Sequence, residues 1–343
     1  MRFFEDMSEV GFVVIGRNEG DRLIRCLTSL KDQFSENVAI VYVDSGSTDG
    51  SVEFAQSVGA DVISLDLCQP FTMARGRNTG LRYLHQIYSN LHYVQFIDGD
   101  CELLSGWIEN ALQIIQTDPT LAIVCGRRRE RYPESSVYNL LAEMEWNTPI
   151  GDDTACGGDA LARISAIMEV GAYNPAMICG EEPEMCIRLR RHGWKIRRIA
   201  VDMTKHDIDM HRFGQWWKRM MRSGWSIAEG FTMYGNSEEH YMKREYRSGW
   251  LWGALIPFLA VALAWPTRGI SLFLLFAYLY LGYRIYCCRL EYGDSQKNAR
   301  IYAFFCTLSK FPQVVGQAKY WWAQIFRQPV SLIEYKTPTK KYG

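Results

Sequence analysis

At 343 residues the chain has room for one large α/β domain and an appendage. Its 38 basic and 38 acidic residues cancel, which removes the general electrostatic case for nucleic acid, a ligand that wants a basic face. The ten cysteines show no CxxC pair and no Cys/His ligand spacing, so the sequence predicts reduced, mostly buried thiols rather than a zinc site.

Residues 1–15 lack a basic segment followed by an apolar run, so no secretory signal is visible and the N-terminal domain is expected in the cytosol. Strand and helix then alternate. Gly11–Ile15 reads as a buried strand, and Leu23, Leu27 and Leu30 fall at helical spacing. Val38–Val43 forms a second strand, stopped at Asp44, with a helix over 50–58. Asp61–Leu65 follows as a third strand, 73–88 as a helix, and Tyr93–Ile97 as a fourth strand. That rhythm predicts βαβ units and a mainly parallel sheet. Ligands then belong at the carboxyl ends of the strands, where Arg17-Asn18-Glu19, Asp44 and Asp98-Gly99-Asp100 stand.

Further on, 107–116 reads as helix, 122–126 as strand, 135–146 as helix, 151–159 as a Gly- and Asp-rich loop, and 182–192 as helix. The Arg127–Arg131 run reads as a solvated face. After about residue 245 the composition shifts. Trp250–Trp265 carries no charge, and a second apolar segment covers 270–287, interrupted only by Arg284. Lys243, Arg244 and Arg247 before the pair and Arg284 and Arg289 after it put both flanks in the cytoplasm if the pair crosses a membrane. The first segment is shorter than the roughly 20 residues a span needs, so a re-entrant hairpin and buried core helices fit as well. Residues 311–326 read as an interfacial helix. The domains expected are 1–240, and 241–343 as a membrane-associated helical region.

Two carboxylates directly after a buried strand, Asp98 and Asp100, require a compensating cation or solvent, and hard oxygen ligands suit magnesium or manganese. Asp44, at another strand end, reads either as a turn-former or as an acceptor for a base or ribose. Glu181 and Glu182 precede Pro183 at a helix N-terminus, where acids are favoured in any protein.

Four ordered stretches, Val14–Glu19, Val43–Gly50, Ala74–Gly80 and Asp98–Asp100, together with Gly157–Leu161 and Gly180–Glu184, resemble the motifs of the family-two glycosyltransferases over roughly residues 10–225. The resemblance implies an α/β GT-A fold: a mostly parallel mixed sheet flanked by helices, here with C-terminal membrane-associating helices. It implies a nucleotide pocket at Gly16, Arg17, Asn18 and Glu19, with Asp44 at the base, Arg77 near the diphosphate and Asp98 near the ribose. Asp100 becomes the direct metal ligand, with His206 as a late second one, and Gly157, Gly158 and Asp159 form an acceptor or donor loop. Glu182 takes the place of the family's catalytic Asp, one methylene longer, beside Glu181.

The expected reaction is inverting transfer of a sugar from a UDP- or GDP-sugar, using Mg2+ or Mn2+, to a lipid-linked or glycan acceptor at the cytoplasmic face of the inner membrane. A polyprenyl-phosphate glycosyltransferase and a non-catalytic GT-A scaffold of a synthase complex are the other readings.

Overall fold

The computed structural model describes residues 6–34 and 38–328. The chain divides into two compact units. One holds residues up to 135 with 142–209, the other 136–141 with the described chain from 210 onward. The composition shift at about 245 marked the start of the apolar helices, whereas the units part at 209/210. Residues 329–343 of the expected tail lie outside the described residues.

In the first unit β1 (Val10–Gly16), α1 (Asp21–Gln33), β2 (Ile40–Asp44), α2 (Ser51–Ser57), β3 (Asp61–Ser64), α3 (Met73–Ile87) and β4 (Tyr93–Asp98) follow the predicted alternation. β5 (Cys101–Leu103), α4 (Trp107–Thr117), β6 (Leu121–Glu130) and α5 (Val137–Trp146) come next. They are followed by β7 (Gly151–Asp153), β8 (Ala160–Arg163), α6 (Ile164–Glu169), α7 (Glu181–Arg191) and β9 (Lys195–His206). The sheet order is β3-β2-β1-β4-β8-β6-β9-β5, with β7 added beside β9. β1, β2, β3 and β4 are parallel neighbours.

β1 and β2 are continuous apolar runs because both sheet faces are covered. Leu23, Leu27 and Trp107 belong to the core on one face, and Leu81, Leu84, Met185 and Leu189 to the core on the other. Register then aligns the strand ends: Gly16 pairs with Asp44, and Ile15 with Asp98. Antiparallel β8 brings residues 157–159 beside the end of β4, since Phe96 pairs with Ala160. β9 carries His206 opposite Cys101 on one neighbour and Glu130 on the other.

Three features differ from the sequence reading. β6 runs through Arg127–Glu130, so this charged stretch is strand rather than a solvated face. Gly151–Asp153 is a short strand within the expected loop. β9 is long and carries four basic residues and a histidine, and it exists because it pairs with β5, β6 and β7.

The second unit contains α8 (Phe213–Tyr234), α9 (Lys243–Trp250), α10 (Ile256–Ala262), α11 (Ala277–Glu291), α12 (Gln296–Leu308) and α13 (Lys310–Phe326). A π-helical segment, Leu251–Leu255, joins α9 to α10, and a 3-10 segment, Ile270–Phe276, leads into α11. Within the described residues Ile270–Glu291 is the one helix long and apolar enough to cross a membrane, and only 6% of its most apolar window is buried. Core helices are thereby set aside for this segment. Phe258, Val261, Leu279 and Tyr283 are 64–70% exposed.

The predicted 311–326 helix is present as α13, but Val314, Gln317 and Tyr320 are buried and it packs along α8 rather than standing apart. Two glycines permit that approach. A Cβ on Gly316 would lie 2.0 Å from the Met221 carbonyl oxygen, and one on Gly224 would lie 2.1 Å from that of Gln313. Alanine gains up to about 1 kcal/mol over glycine in a helix, but overpacking against backbone costs about 1–3 kcal/mol, so the clash wins. Gly316→Ala and Gly224→Ala should therefore lower the unfolding midpoint. Gly214→Ala, where a Cβ meets nothing within 4 Å, should not. Thermal denaturation of the three variants checks this.

Candidate active site

The loops after β1 and β2 are tied to each other. Asn18 adopts φ 53°, a left-handed conformation that asparagine tolerates. Its side-chain oxygen accepts the Thr48 N–H at 2.7 Å, and its own N–H donates to Ser47 Oγ at 2.9 Å. Asp44 is buried and accepts the Gly46 and Ser47 N–H groups at 2.9 and 3.0 Å, so its carboxylate shapes the turn it begins. Glu19 pairs with Arg22 at 2.8 Å, and the Arg17 guanidinium lies 5.0 Å from the centre of the Phe71 ring.

A buried charge network occupies the end of β4. α3 comes close to β1 because Gly80 has no side chain; a Cβ there would lie 2.5 Å from Val13 Cγ1. Arg77, on the next turn toward the N-terminus, is 2% exposed and donates to Asp98 Oδ1 at 2.7 Å and Glu181 Oε1 at 2.6 Å. Burial alone would lower its pKa, but Asp98 and Glu181 outweigh that and hold the guanidinium charged. Arg128 pairs with Asp159 at 2.8 Å and approaches Asp98 Oδ2 at 3.5 Å. Asp159 is fully buried, accepting the Asp98 N–H at 3.0 Å and the Thr204 hydroxyl at 2.7 Å. It is an internal anchor for the loop. Gly158 lies against this cluster: a Cβ would sit 2.8 Å from Asp98 Oδ2 and 2.9 Å from Arg128 Nη2.

Asp100 and His206 meet beside it. Asp100 Oδ2 is 3.2 Å from His206 Nε2, and Glu130 Oε2 is 3.7 Å from His206 Nδ1. Trp146 packs edge-on against the imidazole at 4.7 Å. Ligand atoms of Asp100, Cys101 and His206 lie within 4.8 Å of one another, as do those of Asp98, Cys101 and Asp159.

The Glu181–Glu182 pair divides between two surroundings. Gly180, at φ 80°, opens α7, and Glu181 turns to Arg77. Glu182 accepts the Cys156 N–H at 2.5 Å and the Cys186 thiol at 3.1 Å. Burial raises its pKa, and those hydrogen bonds only partly offset the rise.

Thus Arg77, Asp98, Gly158, Asp159 and Glu181 come together, as do Asp100 and His206, while Glu182 has its own pocket. Gly157, at φ 86°, has open space around it. Sequence reasoning missed Arg128 and Glu130. Their signal was strand alternation, which puts residues two apart on one face.

Residues 12–158 match the family model described as glycosyl transferase family 2. The chain is 27% identical over 212 residues to the pre-mycofactocin glycosyltransferase of Mycobacterium tuberculosis, covering 58% of this chain and 43% of that protein. The chain thus spans less than half the length of that relative. It is 23% identical over 226 residues to glycosyltransferase AglE of Haloferax volcanii, covering 63% of this chain and 71% of that one. Among solved structures, mannosyltransferase PcManGT from Pyrobaculum calidifontis, in complex with GDP-Man and Mn2+, superposes with a TM-score of 0.63. Identity there is 17%, over 92% of this chain and 88% of that one, a likeness in fold: the GT-A arrangement of a mixed, mostly parallel sheet flanked by helices.

Removing Arg77 would leave two carboxylates without their shared cation, a loss of about 3–5 kcal/mol for a broken buried pair. Arg77→Met should lower stability by that order in denaturant titration. Arg77→Met/Glu181→Leu should recover part of it, since one stranded carboxylate is gone.

Proposed function

We propose, from the match of residues 12–158 to the glycosyl transferase family 2 model, that the chain transfers a sugar, with inversion, from a UDP- or GDP-sugar to a membrane-associated or glycan acceptor. The observation that carries this is the pair of neighbouring clusters at the carboxyl end of the sheet, Asp98 and Glu181 joined by Arg77, and Asp100 facing His206. PcManGT carries GDP-Man and Mn2+, and a donor and metal of the same class are our reading here.

Asp100 and His206 fit a hard divalent cation by donor type: a carboxylate oxygen and the imidazole Nε2 stand 3.2 Å apart, both buried. Bound Mg2+ or Mn2+ would stabilise charge on the departing diphosphate. Asp44 and Asn18 hold the nucleotide-side loops in shape. Arg77 keeps Asp98 oriented. Glu182 is the group assigned to take the acceptor hydroxyl's proton as its oxygen attacks the anomeric carbon.

The exposed apolar side chains of the 255–283 segment support membrane association of the second unit, with the catalytic domain on the cytoplasmic side. A second reading has one observation in its favour. Glu182 already accepts the Cys156 N–H and the Cys186 thiol, which suits a polyprenyl-phosphate acceptor that brings an ionised nucleophile and needs little help from a base.

Glu182→Gln should cut transfer to a hydroxyl acceptor by about 10²–10⁴-fold with little change in nucleoside-diphosphate affinity by calorimetry. Because the folded state holds the Glu182 proton more tightly than the unfolded chain, its contribution to stability falls as pH rises through the raised pKa. Glu182→Gln should then melt no lower than the parent at neutral pH, which separates loss of the base from unfolding. Parent activity should climb with pH through a midpoint above the ordinary glutamate range. Near-full activity of Glu182→Gln with a hydroxyl acceptor would transfer the argument to the phosphate reading.

Replacing Phe258, Val261, Leu279 and Tyr283 together by serine should shift the full chain from the membrane pellet to the supernatant in flotation assays. Unchanged flotation would place the anchor elsewhere.

A further inference from the structure

The pocket around Glu182 holds two thiols. Cys156, in the loop between β7 and β8, and Cys186, on α7 one turn after Glu182, are buried with their sulfurs 3.8 Å apart. Glu182 Oε1 is 3.1 Å from Cys186 Sγ, and the three ligand atoms lie within 4.8 Å of one another.

Two thiolates on one tetrahedral zinc ion, each at about 2.3 Å, stand about 3.8 Å apart, and a thiolate and a carboxylate oxygen on the same ion about 3.5 Å. The sulfur–sulfur spacing matches the first value, and the Cys186–Glu182 distance falls within about half an ångström of the second. The thirty-residue separation of Cys156 and Cys186 conceals this in the sequence, where spacing argued against zinc.

The geometry points to a soft-metal site formed by Cys156, Cys186 and Glu182, taking Zn2+ or a similar thiophilic divalent ion. The fourth position of the tetrahedron is left to water. Binding exchanges two thiol protons for the ion, and both are released to solvent. The donor set separates this site from the Asp100–His206 pair. Thiolates favour zinc, whereas carboxylate and imidazole accept manganese or magnesium.

The consequence for catalysis rests on the proposed role of Glu182. A carboxylate coordinated to zinc shares its charge with the ion and becomes a much weaker base toward the acceptor's proton. Zinc at this pocket would act as an inhibitor even with manganese present at the other.

The test uses the purified full chain under a non-chelating phosphine reductant, with Co2+ as the spectroscopic probe. One equivalent of Co2+ should give a thiolate-to-cobalt charge-transfer band that Zn2+ displaces. The band should be lost in Cys156→Ser and in Cys186→Ser, and in Cys186→Ala should the serine fail to fold. It should persist in Cys287→Ser/Cys288→Ser, which removes the adjacent pair on α11. In transfer assays with Mn2+, Zn2+ should inhibit the parent and lose that effect in Cys186→Ser.

Absence of the band in the parent, or its survival in both single serine variants, overturns the site. A band that follows the two cysteines without zinc inhibition overturns the link to Glu182. The spectroscopic arm does not depend on activity, so a protein with no transferase activity would still report on the metal site.

Discussion

One guanidinium fixes the geometry of the first unit's chemical end. Arg77 is buried between Asp98, which ends β4, and Glu181, which begins α7, groups separated by more than eighty residues. A buried cation with one partner would be a liability, and two buried carboxylates without a cation a larger one. Together they lock the strand carrying the Asp-x-Asp pair to the helix carrying the Glu-Glu pair. Arg128 does the same from the other side, reaching Asp98 and Asp159 from β6.

The formal charges explain why such a network suits a metal-dependent transferase. Asp98, Asp159 and Glu181 carry three negative charges, and Arg77 and Arg128 two positive ones. Asp100 stands next to them with an imidazole as its partner. The cluster is thus short of positive charge where a divalent cation and a diphosphate would enter. The arginines cover most of the deficit and leave a remainder that favours binding a cation. Glu182 is held outside this field, in a thiol-lined pocket where burial rather than charge governs its protonation. One carboxylate of the pair is paired with a buried cation, and its neighbour accepts only an N–H and a thiol, which is what the proposed division between scaffold and base requires.

Much of the fold was legible because local and global signals agreed. β1 and β2 are apolar up to their last residue and β4 is broken only by Gln95, and the polar groups of the site stand at or just past their ends. The helices over 73–87 and 181–191 fell within a residue or two of their predicted bounds. Elements defined by distant partners were not legible. β9 has no apolar run of its own, and β6 continues through four charged residues because β9 accompanies it. For the same reason Arg128 was taken for surface, although strand alternation places it with Glu130. The sequence singled out the candidate site residues, but not that Glu181 and Glu182 face different partners, because that depends on α3 and the 154–159 loop arriving from elsewhere. In the tail, composition located the apolar helices but not the packing of α13 on α8, which depends on two glycines whose significance lies in the opposite helix.

The central claim is a metal-dependent nucleotide-sugar site built on Asp100 and held in register by Arg77. The most direct measurement is nucleoside-diphosphate release by the purified full chain across a panel of UDP- and GDP-sugars, with Mn2+ or Mg2+, after chelation, and in Asp100→Ala. The account predicts release from at least one donor that requires the metal, stops on chelation and is lost in Asp100→Ala while the variant retains its fold. Release that continues at full rate without metal or in Asp100→Ala, or none from any donor with metal supplied, would contradict it.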